Sequence, residues 1–197
     1  MNPSPRIGVL SLQGDFSEHC ASLLNVGLNP TEIRLASQLK EIDGLIIPGG
    51  ESTSMVKLID YYDLRVPLVK FARDGNPIWG TCAGLIVMAQ KLLEPIPLPL
   101  GLMDLLVERN AFGRQVDSFQ ENVRIDGIPG GEFRGVFIRA PIVKEVGPRV
   151  QVLGRLKEGE VVAVREENLL GTAFHPELTD DSRMHRYFAD MVEKSCR

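Results

Sequence analysis

Apolar positions in the first half of the chain come as short aliphatic runs separated by segments with helical spacing. Residues 6–12 have the composition of a buried strand. Asp15 followed by Glu18 has the form of a capping box, and Phe16, Cys20, Leu23 and Leu24 share one face of the helix it would open, which Gly27 ends. On that pattern Cys20 is read as a core residue, as free cysteines usually are. Residues 32–35 and 44–47 read as further strands, the second stopping at Pro48-Gly49-Gly50, and a helix is expected from Ser52 to about Tyr61. Pro77-Ile78-Trp79 is another short strand, and it runs into Gly80-Thr81-Cys82-Ala83-Gly84. The next segment, 85–93, is apolar on nearly every side and reads as a helix buried between a sheet and its neighbours.

Strands alternating with helices imply a parallel sheet covered on both faces. The second half differs. Residues 94–100 form a loop punctuated by Pro95, Pro97 and Pro99, and strand candidates follow at 105–108, 123–125, 135–139, 150–155, 161–165 and 169–174 with few helical segments between them. Strands so closely spaced are expected to pair antiparallel. Residues 181–194, with Met184, Tyr187, Phe188 and Met191 on one face, close the chain as an amphipathic helix. The expected fold is α/β: a three-layer sandwich in one domain over 1–197, with a mostly parallel central sheet, helices on both faces and an antiparallel extension in the second half.

Composition narrows the function. At 197 residues the chain falls short of the ~250 that a (β/α)8 barrel needs. Hydrophobic residues make up 44% and charged residues 24%, enough for an ordinary globule with a core. A net charge of −4 supplies no basic field, which argues against nucleic acid and acidic membrane surfaces as partners. No apolar run approaches the ~18–20 residues of a membrane span. The stretch at 7–12 is too short for a signal peptide before Gln13, Gly14 and Asp15 interrupt it, so a cytoplasmic location is expected. Cys20, Cys82 and Cys196 are odd in number and widely spaced, which suits neither a disulfide framework nor a metal cluster; no metal and no cofactor is expected, and at least one thiol is free.

The segment Gly80-Thr81-Cys82-Ala83-Gly84 is a G-x-C-x-G between a strand and a buried helix. It has the form of the nucleophile elbow G-x-S-x-G, with a thiol in place of the hydroxyl. An elbow strains the backbone of its nucleophile, and glycines two residues to either side let neighbouring backbone come close. At a helix N-terminus the partial positive charge favours a Cys82 thiolate, and the Ala83 N–H would face a developing oxyanion. The other reading is a small buried cysteine beside a glycine-rich turn. A nucleophilic thiol needs a base, and there are three histidines. His19 falls in the first turn of a helix and His185 in the C-terminal helix, where both read as solvated or capping residues. His175 ends an apolar run and precedes Pro176 and Glu177. Proline favours extended geometry before it, which would turn His175 and Glu177 to one side as base and orienting carboxylate. Pro48-Gly49-Gly50-Glu51-Ser52-Thr53 leaves a strand and opens a helix, so its backbone N–H groups can hold an anion or supply a second oxyanion donor.

P-G-G-E-S at 48–52, G-T-C-A-G at 80–84 and F-H-P-E-L at 174–178, in this order, resemble the triad-type (class I) glutamine amidotransferases, in which cysteine attacks the side-chain amide of glutamine and releases ammonia. Leu12-Gln13-Gly14 and the segments 107–115, 136–141 and 175–181 are similar to the glutaminase subunits of pyridoxal phosphate (vitamin B6) synthases, and the resemblance covers nearly the whole chain. It implies Cys82 as nucleophile with His175 and Glu177 completing the triad, and a γ-glutamyl thioester as intermediate. It further implies L-glutamine held by Gly50, Glu51, Ser52, Arg109, Ile138 and Arg139, and oxyanion donors at Gly50 and Ala83. Arg109 is the natural partner for the substrate carboxylate. A separate synthase (lyase) subunit that uses the ammonia is implied as partner in a hetero-oligomeric complex, with Gln13 at the contact. Two features depart from the family: Trp79 stands where a smaller aromatic is expected, and the prolines of 94–100 replace a more polar connection. Two other readings stay open, a partner-independent hydrolase of γ-glutamyl compounds and a non-catalytic scaffold.

Overall fold

The structure, a computed structural model, describes residues 4–109 and 118–196. In chain order its elements are β1 (Ile7–Leu10), α1 (Phe16–Asn25), β2 (Thr31–Ile33), β3 (Gly44–Ile47), α2 (Ser52–Tyr61), α3 (Arg65–Arg73), β4 (Ile78–Thr81), α4 (Ala83–Met88), β5 (Ala89–Leu92) and β6 (Met103–Glu108). They continue with β7 (Ser118–Val123), β8 (Phe133–Ile138), β9 (Ile142–Val146), β10 (Gln151–Arg155), β11 (Val161–Glu166), β12 (Leu169–Thr172) and α5 (Arg183–Ser195).

β1, β3 and β4 are buried at every position, which is why they read as unbroken apolar runs. The large sheet runs β2-β1-β3-β4-β12-β11-β9-β6-β5, with β10 paired to β11. From β2 to β12 the pairs are parallel. β12, β11, β10, β9 and β6 then pair antiparallel, the expected extension, and β5 joins the edge parallel to β6. β7 and β8 form a separate antiparallel ribbon. Alternation along β4 shows the layers: Gly80 faces α4, against Gly84 and Met88, while its neighbour Trp79 points the other way onto His185 and Phe188 of α5. Among the described residues no helix is long and apolar enough to cross a membrane.

Several boundaries differ from the pattern-based ones. The helix expected over 85–93 stops at Met88, where Ala89 turns extended (ψ 152) and starts β5. The reason is local: backbone N–H groups of Leu100, Gly101 and Leu102 take the carbonyls of Val87, Ala89 and Met88, which would otherwise continue the helix. β7 occupies 118–123 where a strand at 123–125 was expected, and α3 and β9 carry no pattern strong enough to announce them. α1 ends as expected, Gly27 N–H bonding Leu24 O and Leu28 N–H bonding Leu23 O. Leu24, however, is exposed, and Cys20 is half-buried against the core.

Trp79 explains itself by its surroundings. It is fully buried, its indole N–H donates to Thr172 Oγ1 at 3.2 Å, and it meets the His185 ring edge-on at 5.1 Å.

Candidate active site

β4 delivers Cys82 to the end of the sheet, where its N–H bonds Thr172 O at 2.8 Å. Cys82 then takes φ 46 and ψ −100, a left-handed conformation costly for a side chain other than glycine, and α4 starts at the next residue. The turn is this tight because the elbow glycines allow it: a Cβ on Gly84 would sit 2.0 Å from Ile47 O, and one on Gly80 would sit 2.5 Å from the Gly84 carbonyl carbon. All six residues of α4 are buried, so any shift of the helix to make room costs packing. Cys82 itself keeps 5% of its surface exposed, at the floor of a cleft.

His175 arrives from beyond β12, tied by its N–H to Val136 O at 2.8 Å. Its Nδ1 meets Glu177 Oε1 at 2.8 Å, the pairing expected from the sequence. The cause differs: Pro176–Leu178 is a 3₁₀ turn that folds Glu177 back onto the ring, rather than an extended strand with both residues on one side. Asp15 Oδ2 lies 3.2 Å from the same nitrogen. Asp15 stands at the start of α1 as expected but makes no side-chain cap there, because its carboxylate has turned to the imidazole. Burial works against charge on His175, but hydrogen bonds with Asp15, Cys82 and Glu177 outweigh it and push its pKa up to about 12. Burial raises Glu177, and its bond to His175 acts in the opposite direction.

The Pro48-Gly49-Gly50 turn closes the other side. Gly50 adopts φ 142, and a Cβ there would lie 2.6 Å from the Gln13 amide, so only glycine fits. Gln13 brackets the next peptide, its Nε2 donating to Glu51 O at 3.3 Å and its Oε1 accepting from Glu51 N at 3.2 Å. Glu51 caps α2, accepting from Thr53 N at 2.9 Å and Ser54 N at 2.7 Å. Burial pushes the Glu51 carboxyl up, yet these hydrogen bonds prevail and hold it at about 2. Arg109 stretches across to this cap, its Nη2 3.3 Å from Thr53 Oγ1 and 3.5 Å from Glu51 Oε1. The proline-punctuated loop has a role here: Glu94 Oε1 accepts from Arg109 N at 3.0 Å, and Ile96 O accepts from Arg109 Nη1 at 2.7 Å. Arg139 adds a second strained backbone at the cleft, with φ 42.

A cavity of about 390 Å³ results, of a size for a small amino acid, and Gly50, Glu51, Ser52, Arg109, Ile138 and Arg139 all line it together with Cys82 and His175. Ala83 lies buried behind Cys82 and offers only backbone, and Gln13 stands behind the Gly50 turn. Residues 110–115 of the segment that carries Arg109 lie outside the described residues. A larger concavity of about 640 Å³ lies beside Arg134 and Arg183, but it holds neither a thiol nor an imidazole.

Three neighbours escaped the sequence reading: Asp15, and the histidines expected at the surface. His19 and His185 are both 0% exposed, since α1 and α5 turn these residues inward onto Trp79. The polar residues beside His19, Ser17 and Glu18, are exposed and disguise its inward direction.

The SNO glutamine amidotransferase family matches residues 9–194. The chain belongs to that family. This SNO-family chain is 50% identical over 190 residues, 95% of its length and 97% of the relative's, to the pyridoxal 5'-phosphate synthase subunit PdxT of Dehalococcoides mccartyi. It is 54% identical over 187 residues, 95% of each chain, to the protein of the same name from Shouchella clausii. Among solved structures, a crystal structure of a glutamine amidotransferase superposes with a TM-score of 0.90 at 44% identity, covering 95% of this chain and 98% of that one. The α/β architecture expected from the sequence is therefore that of an SNO-family glutamine amidotransferase.

Proposed function

We propose that the chain hydrolyses L-glutamine to L-glutamate and ammonia on Cys82, His175 and Glu177, and passes the ammonia to a separate pyridoxal 5'-phosphate synthase subunit. The observation that carries this is the meeting of a strained, cleft-facing Cys82 with an imidazole whose far nitrogen is held by Glu177 at 2.8 Å. The Cys82 thiolate attacks the side-chain carbonyl carbon, and the N–H groups of Ala83 and of the Gly50 turn receive the oxyanion. His175 gives its proton to the leaving nitrogen, so ammonia departs and a γ-glutamyl thioester remains. Water, losing a proton to His175, then attacks the thioester, and glutamate leaves as the thiolate reforms. Names of the two relatives support pyridoxal 5'-phosphate synthesis as the use of the ammonia. Gln13, bound to the Glu51 peptide beside Gly50, is the residue through which a docked partner would act on the oxyanion donors.

Arg109 takes the substrate carboxylate in this reading. Arg109→Ala is expected to raise KM for glutamine by roughly 10- to 100-fold, the worth of a charged hydrogen bond of about 1.5–3 kcal/mol, with a much smaller change in kcat. Steady-state ammonia release, measured with and without the synthase subunit, checks this. A lost kcat at unaltered KM would contradict the role of Arg109, and full wild-type turnover without the subunit would favour a partner-independent hydrolase.

A further inference from the structure

Behind the triad lies a buried polar chain that the mechanism above leaves unused. Glu177 gives Oε1 to His175 Nδ1, while its Oε2 is buried without an aligned donor and lies 3.3 Å from His19 Nε2. The same His19 nitrogen is 3.1 Å from Thr81 Oγ1, and His19 Nδ1 is 2.9 Å from His185 Nε2. His185 Nδ1 is buried and unpartnered. Trp79 closes the group off, edge-on to His19 at 5.6 Å and to His185 at 5.1 Å.

Donors and acceptors along this chain can be assigned in two ways when both rings are neutral. Burial keeps them so: it holds His19 well below its ordinary pKa and His185 at about 4. With the shared proton on His19 Nδ1, His19 Nε2 is a bare lone pair facing Glu177 Oε2 at 3.3 Å, and His185 is left with a buried N–H that bonds nothing. With the proton on His185 Nε2, His19 carries its own on Nε2, hydrogen-bonded to Thr81 Oγ1 at 3.1 Å with Glu177 Oε2 3.3 Å from the same nitrogen. Only a lone pair at His185 Nδ1 then goes unused. Buried orphan N–H groups are rarer than buried orphan acceptors, and two opposed acceptors repel in a dry interior, so the second assignment wins.

We propose that His19 and His185 are positioning residues of the glutamine-hydrolysing centre: His185 Nε2–H fixes His19 as the Nε2–H tautomer, and His19 donates to Glu177 Oε2, aiming that carboxylate at His175. The proposal rests on the triad reading of Cys82, His175 and Glu177. Groups facing Glu177 are His175 from its own turn, Asp15 and His19 from the start of α1, and Cys82 beyond the His175 ring; His19 also faces His185 from α5 and Thr81 and Trp79 from β4. Burial and Asp15 both raise the Glu177 pKa, so a donor on Oε2 keeps the carboxylate charged to lower pH. Removing that donor makes Glu177 protonate, and release His175, at higher pH.

The test compares His19→Leu with His19→Gln in enzyme assembled with the synthase subunit, since the glutamine Nε2 can restore a donor near the imidazole Nε2. His19→Leu is expected to lower kcat by roughly tenfold or more at a KM for glutamine within about twofold, and to move the acid limb of the kcat profile up by about one pH unit. His19→Gln is expected to recover most of both. Nitrogen-15 NMR of histidine-labelled wild-type protein reads the tautomer directly: His19 neutral, protonated on Nε2 and bare on Nδ1. An Nδ1–H or charged His19, or a folded Leu variant whose acid limb stays in place, overturns the proposal. Should His19→Leu not fold, the tautomer alone decides. Because the NMR readout needs no turnover, a failed triad, seen as Cys82→Ala retaining activity, is distinguishable from a failed tautomer assignment.

Discussion

Cys82→Ala is expected to abolish ammonia release from glutamine, by on the order of 10⁴-fold or more in kcat, in the presence of the synthase subunit. The substitution removes one sulfur atom, which lies 3.9 Å from Ile138 O and hydrogen-bonds the His175 side chain. Alanine meets φ 46 with no more strain than cysteine does, so stability and association with the subunit are expected to stay near wild type. Activity and complex formation therefore separate. A scaffold would lose neither, and a variant that hydrolyses glutamine at the wild-type rate would remove Cys82 from the chemistry. Ammonia release and subunit binding by sedimentation, measured on the same preparation, decide between these outcomes.

Gly84→Ala is expected to damage both fold and function. The added Cβ would lie 2.0 Å from Ile47 O, a backbone atom of a fully buried strand, and no side-chain rotation can relieve that contact. α4 must retreat from β3, at a cost of about 2–3 kcal/mol for overpacking and a Tm lower by roughly 4–12 °C. Because Cys82 begins α4, the same retreat shifts the thiol from His175, and catalysis falls far more than stability. Thermal unfolding with parallel turnover measures both, and a variant with wild-type Tm and kcat would refute the tight elbow. No comparable cost attaches to the exposed face of α2, where Lys57 is exposed.

The parts of the site carried by short local motifs were legible in the sequence, because their geometry is set within a few residues. The elbow around Cys82 shows itself by its flanking glycines, Gly80 packing on α4 and Gly84 on Ile47 O of β3, and His175 with Glu177 is joined by a single turn. Arg109 was legible only through resemblance, since what holds it, Glu94 and Ile96, comes from a loop whose prolines suggest nothing about a cleft. Asp15 read as a helix cap because a cap and a carboxylate aimed at a distant imidazole need the same residue at the same place. His19 and His185 were misplaced at the surface for a related reason. They sit 166 residues apart in sequence, and each becomes a sensible buried residue only once the other is beside it. The fold divides in the same way. Parallel strands buried on both faces announce themselves by composition, whereas the end of α4 at Met88 depends on the 100–102 backbone returning to its carbonyls, and α3 holds a proline, Pro67, that conceals its start.

The most direct test of Cys82 as the glutamine nucleophile is covalent trapping with a glutamine-mimicking electrophile, followed by peptide mass mapping of all three cysteines in the enzyme assembled with its synthase subunit. A single adduct on Cys82, suppressed by excess glutamine and absent after Cys82→Ala, is the expected result. Equal labelling of the exposed Cys196, or labelling of Cys82 that glutamine does not protect, would contradict it.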